Sequence, residues 1–95
     1  MLNGKQKRYL RALATKEKAV VMVGKEGVTS FLLGSFSQAI GKRELVKVSI
    51  LKTCEIDSNE IAIDLCASSK AELVQKIGHT LVFYKPAKEK KIILP

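Results

Sequence analysis

A chain of 95 residues with 46% hydrophobic residues supports one modest core and is too short for several. No apolar run approaches the ~20 residues of a membrane-crossing helix, and the basic start MLNGKQKRYLR leads into no apolar stretch of secretory type, so the expected compartment is the cytoplasm, with no membrane partner. The net charge of +8 lies wholly in the first part of the chain, where residues 1–52 hold 11 basic and 3 acidic residues against 6 of each in 53–95, and a basic field this lopsided favours a polyanionic partner.

Residues 4–16 read as an amphipathic helix. At 100° per residue from Lys5, the side chains of Tyr9, Leu13, Leu10 and Ala14 fall between 40° and 180°, while Lys7, Arg8, Arg11, Lys5 and Lys16 fill the remaining arc. Like charges on one face cost helix stability, so such a face makes most sense as a binding surface. Residues 19–23, AVVMV, form an unbroken apolar run, expected as a strand covered on both faces. Gly24-Lys25-Glu26-Gly27 follows it. Thr29 or Ser30 then caps a helix that buries Leu32, Phe36, Ala39 and Ile40, with Phe31 and Leu33 beside that stripe. Gly41 is expected to stop this helix in the left-handed conformation.

Residues 45–51, LVKVSIL, read as a strand with Val46, Val48 and Ile50 on one face and Leu45, Lys47, Ser49 and Leu51 on the other. Asp57 and Glu60 have capping-box spacing. The helix they open pairs Ile61 with Leu65 and Ala62 with Cys66, and Ser68-Ser69-Lys70 end it. Residues 72–78 and 80–85 read as two strands joined at a Gly78-His79 hairpin turn. Pro86 ends the second, and Ile92-Ile93-Leu94 tie the tail down or add an edge strand. The order α-β-α-β-α-β-β predicts an α/β fold with a four-stranded mixed sheet, packed helices and right-handed crossovers.

Little here suits catalysis. His79 is the only imidazole and sits in a turn. Cys54 and Cys66 lack metal-ligand spacing and read as free thiols. No catalytic residue, metal, cofactor or small-molecule substrate is expected. GKEG is neither a GxxxxGK[ST] phosphate loop nor a GxGxxG dinucleotide turn. Its position carries more information than its letters. A helix N-terminus offers unpaired N–H groups and partial positive charge, glycines admit a phosphate close to the backbone, and Lys25 adds a cation. A plain βα turn is the competing reading. Aromatic residues are few. Phe83 and Tyr84 alternate across a strand, which would expose one of them, and Phe31 or Tyr84 would be the stacking candidates. The pattern favours a reader of phosphates and shape.

The segments LNGKQKRYLRALA, VVMVGKEGVT, ELVKVSIL and AELVQKIGHTLVFYKP together resemble the CRM domain family, named for chloroplast RNA splicing and ribosome maturation. The likeness runs from Leu2 to about Leu94 and is greatest to the small stand-alone bacterial members of YhbY type. It implies a fold similar to the C-terminal domain of translation initiation factor three, and RNA binding on precursors of the large ribosomal subunit. It places a GxxG loop on Gly24, Lys25, Glu26 and Gly27, and a basic first helix on Lys5, Lys7, Arg8 and Arg11. The expectation is one RNA-binding domain over residues 1–95, acting as a monomer that assists ribosome assembly. Backbone N–H groups of Gly27 and Val28 contact phosphates of rRNA, and the first helix continues the loop as one cationic surface. Glu26 has the wrong charge for such a clamp. The competing class is a basic protein–protein adaptor.

Overall fold

Helix α1 (Gly4–Ala14) begins at a reciprocal cap. The Asn3 side chain accepts the Gln6 N–H at 2.8 Å, and Gln6 Oε1 accepts the Asn3 N–H at 3.1 Å, so two of the orphan donors at the helix start are satisfied. The computed structural model describes residues 2–87 and 92–95. After α1 come β1 (Val21–Val23), α2 (Ser30–Arg43), β2 (Leu45–Ile50), α3 (Ser58–Ser69), β3 (Glu72–Ile77) and β4 (Thr80–Tyr84), in the order expected.

The strands form one sheet in the order β1-β2-β4-β3. β1 runs parallel to β2, and β4 lies antiparallel between β2 and β3. Alternation along each strand sorts the side chains onto two faces. Val21, Val23, Val46, Val48, Ile50, Leu81 and Phe83 meet Phe36 and Ile40 of α2 and Ile61 and Leu65 of α3. The rings of Phe36 and Phe83 meet edge-on, with centroids 5.0 Å apart, a favoured aromatic geometry. On the opposite face Leu10 and Ala14 of α1 cover Leu45, Val74, Val82 and Tyr84. Alternation from Glu72 places Val74 in this second core, and a bulge between Leu73 and Gln75 then shifts the register so that Gln75 and Ile77 fall on the same face. Ile92 and Leu94 pack there too, so the tail is tied down and forms no strand among the described residues. Residues 88–91, in the same tail, lie outside them.

Several expectations are corrected. β1 is a three-residue edge strand, and Met22 is exposed, because only β2 pairs with it and α1 packs over β2, β3 and β4. Tyr84 is buried along with Phe83, because each face of β4 has its own helix layer. Gly41 lies inside α2, which runs on to Arg43. The turn out of the helix falls on Glu44, at φ 62°, so that Leu45 can enter the sheet opposite Tyr84. Lys42 and Arg43 suit the negative end of the helix dipole over that last turn. α1 stops at Ala14 and leaves Lys16 outside the helix. Thr29 caps α2 as expected, its Oγ1 accepting the Leu32 N–H at 3.1 Å. Asp57 stands at the N-cap of α3 but makes no side-chain cap bond.

These caps carry a testable difference. Asn3→Ala and Thr29→Ala should each lower stability by about 1 kcal/mol, seen as a lower urea midpoint at unchanged m. Asp57→Ala should cost less than either, since only its charge near the helix start is lost.

Candidate nucleic-acid interface

β1 and β2 finish at the same end of the sheet, and the glycine loop leaves from there. The Gly27 N–H donates to the Gly24 carbonyl at 3.0 Å, closing a tight turn. Lys25 and Glu26 occupy its exposed tip. The two glycines have different reasons. Gly27 is buried with φ +70°, and a Cβ there would collide with Ile56 Cδ1. Gly24 shows no such φ, and a Cβ would only touch Leu51 Cδ1 at 3.8 Å. The Gly27 N–H, expected on a phosphate, is therefore occupied within the turn, because the turn needs that bond to close. The Val28 side chain packs against the larger core. At the start of α2 the Leu32 N–H is taken by Thr29 Oγ1, while the N–H groups of Ser30 and Phe31 have no intrahelical acceptor. A groove of about 330 Å³ runs beside the loop, between Met22, Lys25, Thr29 and Phe31.

Helix α1 lies on the sheet with its start near the first residue of β3, where the Leu2 N–H donates to Glu72 Oε2 at 2.9 Å. Its far end is held by Lys47 of β2, whose Nζ donates to the carbonyls of Ala14 at 3.2 Å and Glu17 at 3.5 Å. Lys47 is thus spent on the negative end of α1. Lys5, Arg8 and Arg11 are exposed, and Lys7 is half-buried. Arg11 reaches a cavity of about 160 Å³ shared with Lys47, Ile77 and Thr80.

From this cavity one row of side chains runs toward the loop. Met22 pairs with Ser49, Ser49 with Thr80, and Thr80 with Ile77. The row crosses all four strands on the face that α1 covers only in part. Met22 is 59% and Ile77 61% exposed. Arg11 therefore lies near the end of the sheet where the loop sits, and Lys5 lies about 9 Å back along the helix, at a rise of 1.5 Å per residue. The four side chains of this row carry no charge. Sequence reading did not identify Met22, Ser49, Thr80 and Ile77 as a shared surface. The period-2 pattern of LVKVSIL puts Ser49 on this face, but only the strand order sets the four side by side.

The remaining charge is placed elsewhere. α3, on the other layer, exposes Asp57, Glu60 and Asp64. Burial pushes the Cys66 thiol above its ordinary pKa, so it stays protonated at neutral pH and is a poor nucleophile. Burial also raises Tyr84. Both cysteines are free. His79 is exposed in the hairpin turn, where its carbonyl accepts the Ile50 N–H at 2.7 Å. Among the described residues no three His, Cys, Asp or Glu side chains are grouped to hold a metal ion, and no helix is long and apolar enough to cross a membrane.

Residues 2–85 match the CRS1/YhbY (CRM) domain. The chain is 46% identical over 93 residues to the probable RNA-binding protein YqeI of Bacillus subtilis, covering 98% of this chain and 97% of that one. It is 38% identical to an RNA-binding protein of Haemophilus influenzae, covering 99% and 95%. The solution structure of the hypothetical protein SAV1595 from Staphylococcus aureus superposes with a TM-score of 0.83 at 40% identity, with all of both chains covered.

The loop geometry separates its two glycines experimentally. Gly27→Ala should lose about 1–2 kcal/mol of stability from the left-handed backbone alone, whereas Gly24→Ala should fold with near-unchanged stability. Denaturant midpoints of the two variants measure the difference. Equal midpoints would show that the turn is not held at Gly27.

Proposed function

The chain belongs to the CRS1/YhbY (CRM) domain family, and from that premise we propose that it is a monomeric, cytoplasmic RNA-binding protein, a single domain that acts by binding and not by catalysis. The observation that carries the reading is the row Met22–Ser49–Thr80–Ile77, itself uncharged, which leads from Arg11 to the glycine loop. Lys25 and the free N–H groups at the start of α2 hold one phosphate region, with the Val28 backbone beside them. Arg11 and Arg8 hold a second, and Lys7 and Lys5 extend it along α1. The closed turn of Gly24 and Gly27 keeps bulk away from the first region. The acidic face of α3 repels the same polyanion and so orients the domain on it. One named relative is a probable RNA-binding protein and the other an RNA-binding protein, in keeping with this reading. We place its target in rRNA of large-subunit precursors, where it assists assembly, as the family likeness implies.

Binding through about four neutralised phosphates of a single strand gives a log–log salt slope of roughly −3. Filter binding across a salt series should show it, and a flat response would remove the phosphate contacts. Lys25→Glu should weaken binding without loss of circular dichroism, since the side chain is exposed. Glu26→Gln, which removes a like charge facing the ligand, should tighten it. Crosslinking in cells with mapped reads tests the rRNA assignment.

A further inference from the structure

We propose that Phe31 is a stacking position for an unpaired base, and that the ligand of the loop site is therefore single-stranded RNA. The proposal rests on the RNA-binding reading above and narrows it to one form of RNA.

Phe31 is 85% exposed. Helix geometry forces it out. At 100° per residue it stands about 140° from Phe36 around the axis of α2, and Phe36 and Ile40 are the residues that enter the core. Its ring therefore points away from that core and is left in water. It is not an isolated surface residue. It shares one groove with the thioether of Met22, itself 59% exposed, and with half-buried Leu32. Lys25 and Glu26 stand on the same groove. An aromatic face next to a cation suits a nucleotide, with the ring against the base and the ammonium near the phosphate. Met22 offers a polarizable second contact. The net charge of +8 favours a polyanionic occupant.

The form of the RNA follows from where base faces are reachable. In an A-form duplex the bases are stacked on one another, and side chains cannot read the deep major groove. A ring at the rim of a shallow groove meets a base face only when the strand is unpaired. Base–aromatic stacking is also tolerant of sequence, so the site selects strand form ahead of base identity.

The test measures affinity for a short unstructured RNA oligonucleotide and for the same sequence as a duplex. Wild type should prefer the single strand. Phe31→Ala should weaken single-strand binding by about 5- to 150-fold, the range of one base–aromatic stack, while leaving the duplex affinity and the salt slope unchanged. The chain has no tryptophan, so Phe31→Trp introduces the sole indole. This variant should keep its affinity, and its emission should be quenched by the single strand. If Phe31→Ala binds the single strand as wild type does, the stacking role is overturned and RNA binding stands. If the variant loses duplex and single-strand binding equally, Phe31 shapes the loop and the proposal fails. If wild type binds neither RNA, both readings fall. Circular dichroism of each variant should be unchanged, because the ring contributes nothing to the core.

Discussion

The ammonium of Lys47 decides where the first helix ends and therefore how much of the sheet stays open. It lies on β2, on the face away from α2 and α3, and donates to the carbonyls of Ala14 and Glu17. A hydrogen bond to a charged donor is worth about 1.5–3 kcal/mol, more than a neutral one, and here it meets the negative end of the α1 dipole. The contact holds the last turn of α1 over the middle of β2. An 11-residue helix spans only about 16 Å. Pinned at that point, α1 buries Leu45, Val82 and Tyr84 but leaves Met22 and Ile77 exposed and Ser49 and Thr80 half-buried toward the other end of the sheet. The uncovered row leading to the glycine loop follows from this placement.

Local pattern made the framework of the fold legible. The alternation in LVKVSIL assigned each side chain of β2 to its observed face, and Phe36 and Ile40 announced the buried stripe of α2. What pattern could not carry was strand order. AVVMV reads the same whether it sits centrally or at an edge, and only the β1-β2-β4-β3 order exposes Met22. The burial of Tyr84 has the same origin, since a second helix layer over β4 is a long-range fact. Lys47 was placed on its observed face, but its bonds to Ala14 and Glu17 were not legible, because these partners lie about thirty residues back in the chain.

Capping shows the limits of spacing. Asn3 and Gln6 have the same separation as Asp57 and Glu60, yet only the first pair bonds reciprocally. Both patterns are present in the sequence, and backbone angles at the cap decide between them. The glycines repeat the lesson. Gly24 and Gly27 are interchangeable as letters in GKEG, but only Gly27 takes a positive φ. The turn hydrogen bond it donates removes one N–H from the set available to a ligand. The cations of α1 and the loop were legible as charge, while the uncharged strip that leads from one to the other was not.

That strip matters for what such a surface can discriminate. A continuous cationic band attracts any polyanion with little regard for its form, since the Coulomb term acts on charge and distance alone. In the proposed reading, two cationic regions joined by Met22, Ser49, Thr80 and Ile77 would impose a spacing between the phosphates they hold. The strip between them offers methyl groups, a thioether and hydroxyls, which favour bases and sugars over phosphates. Charge then supplies attraction, and the short reach of α1 across the sheet supplies the space in which a strand's own chemistry is compared. The restraint on α1 by Lys47 and the left-handed turn at Gly27 hold those two regions at their fixed separation. The fold itself is carried by the two hydrophobic cores, and these two local features bear on the selectivity of the proposed surface because they fix where its charged ends sit.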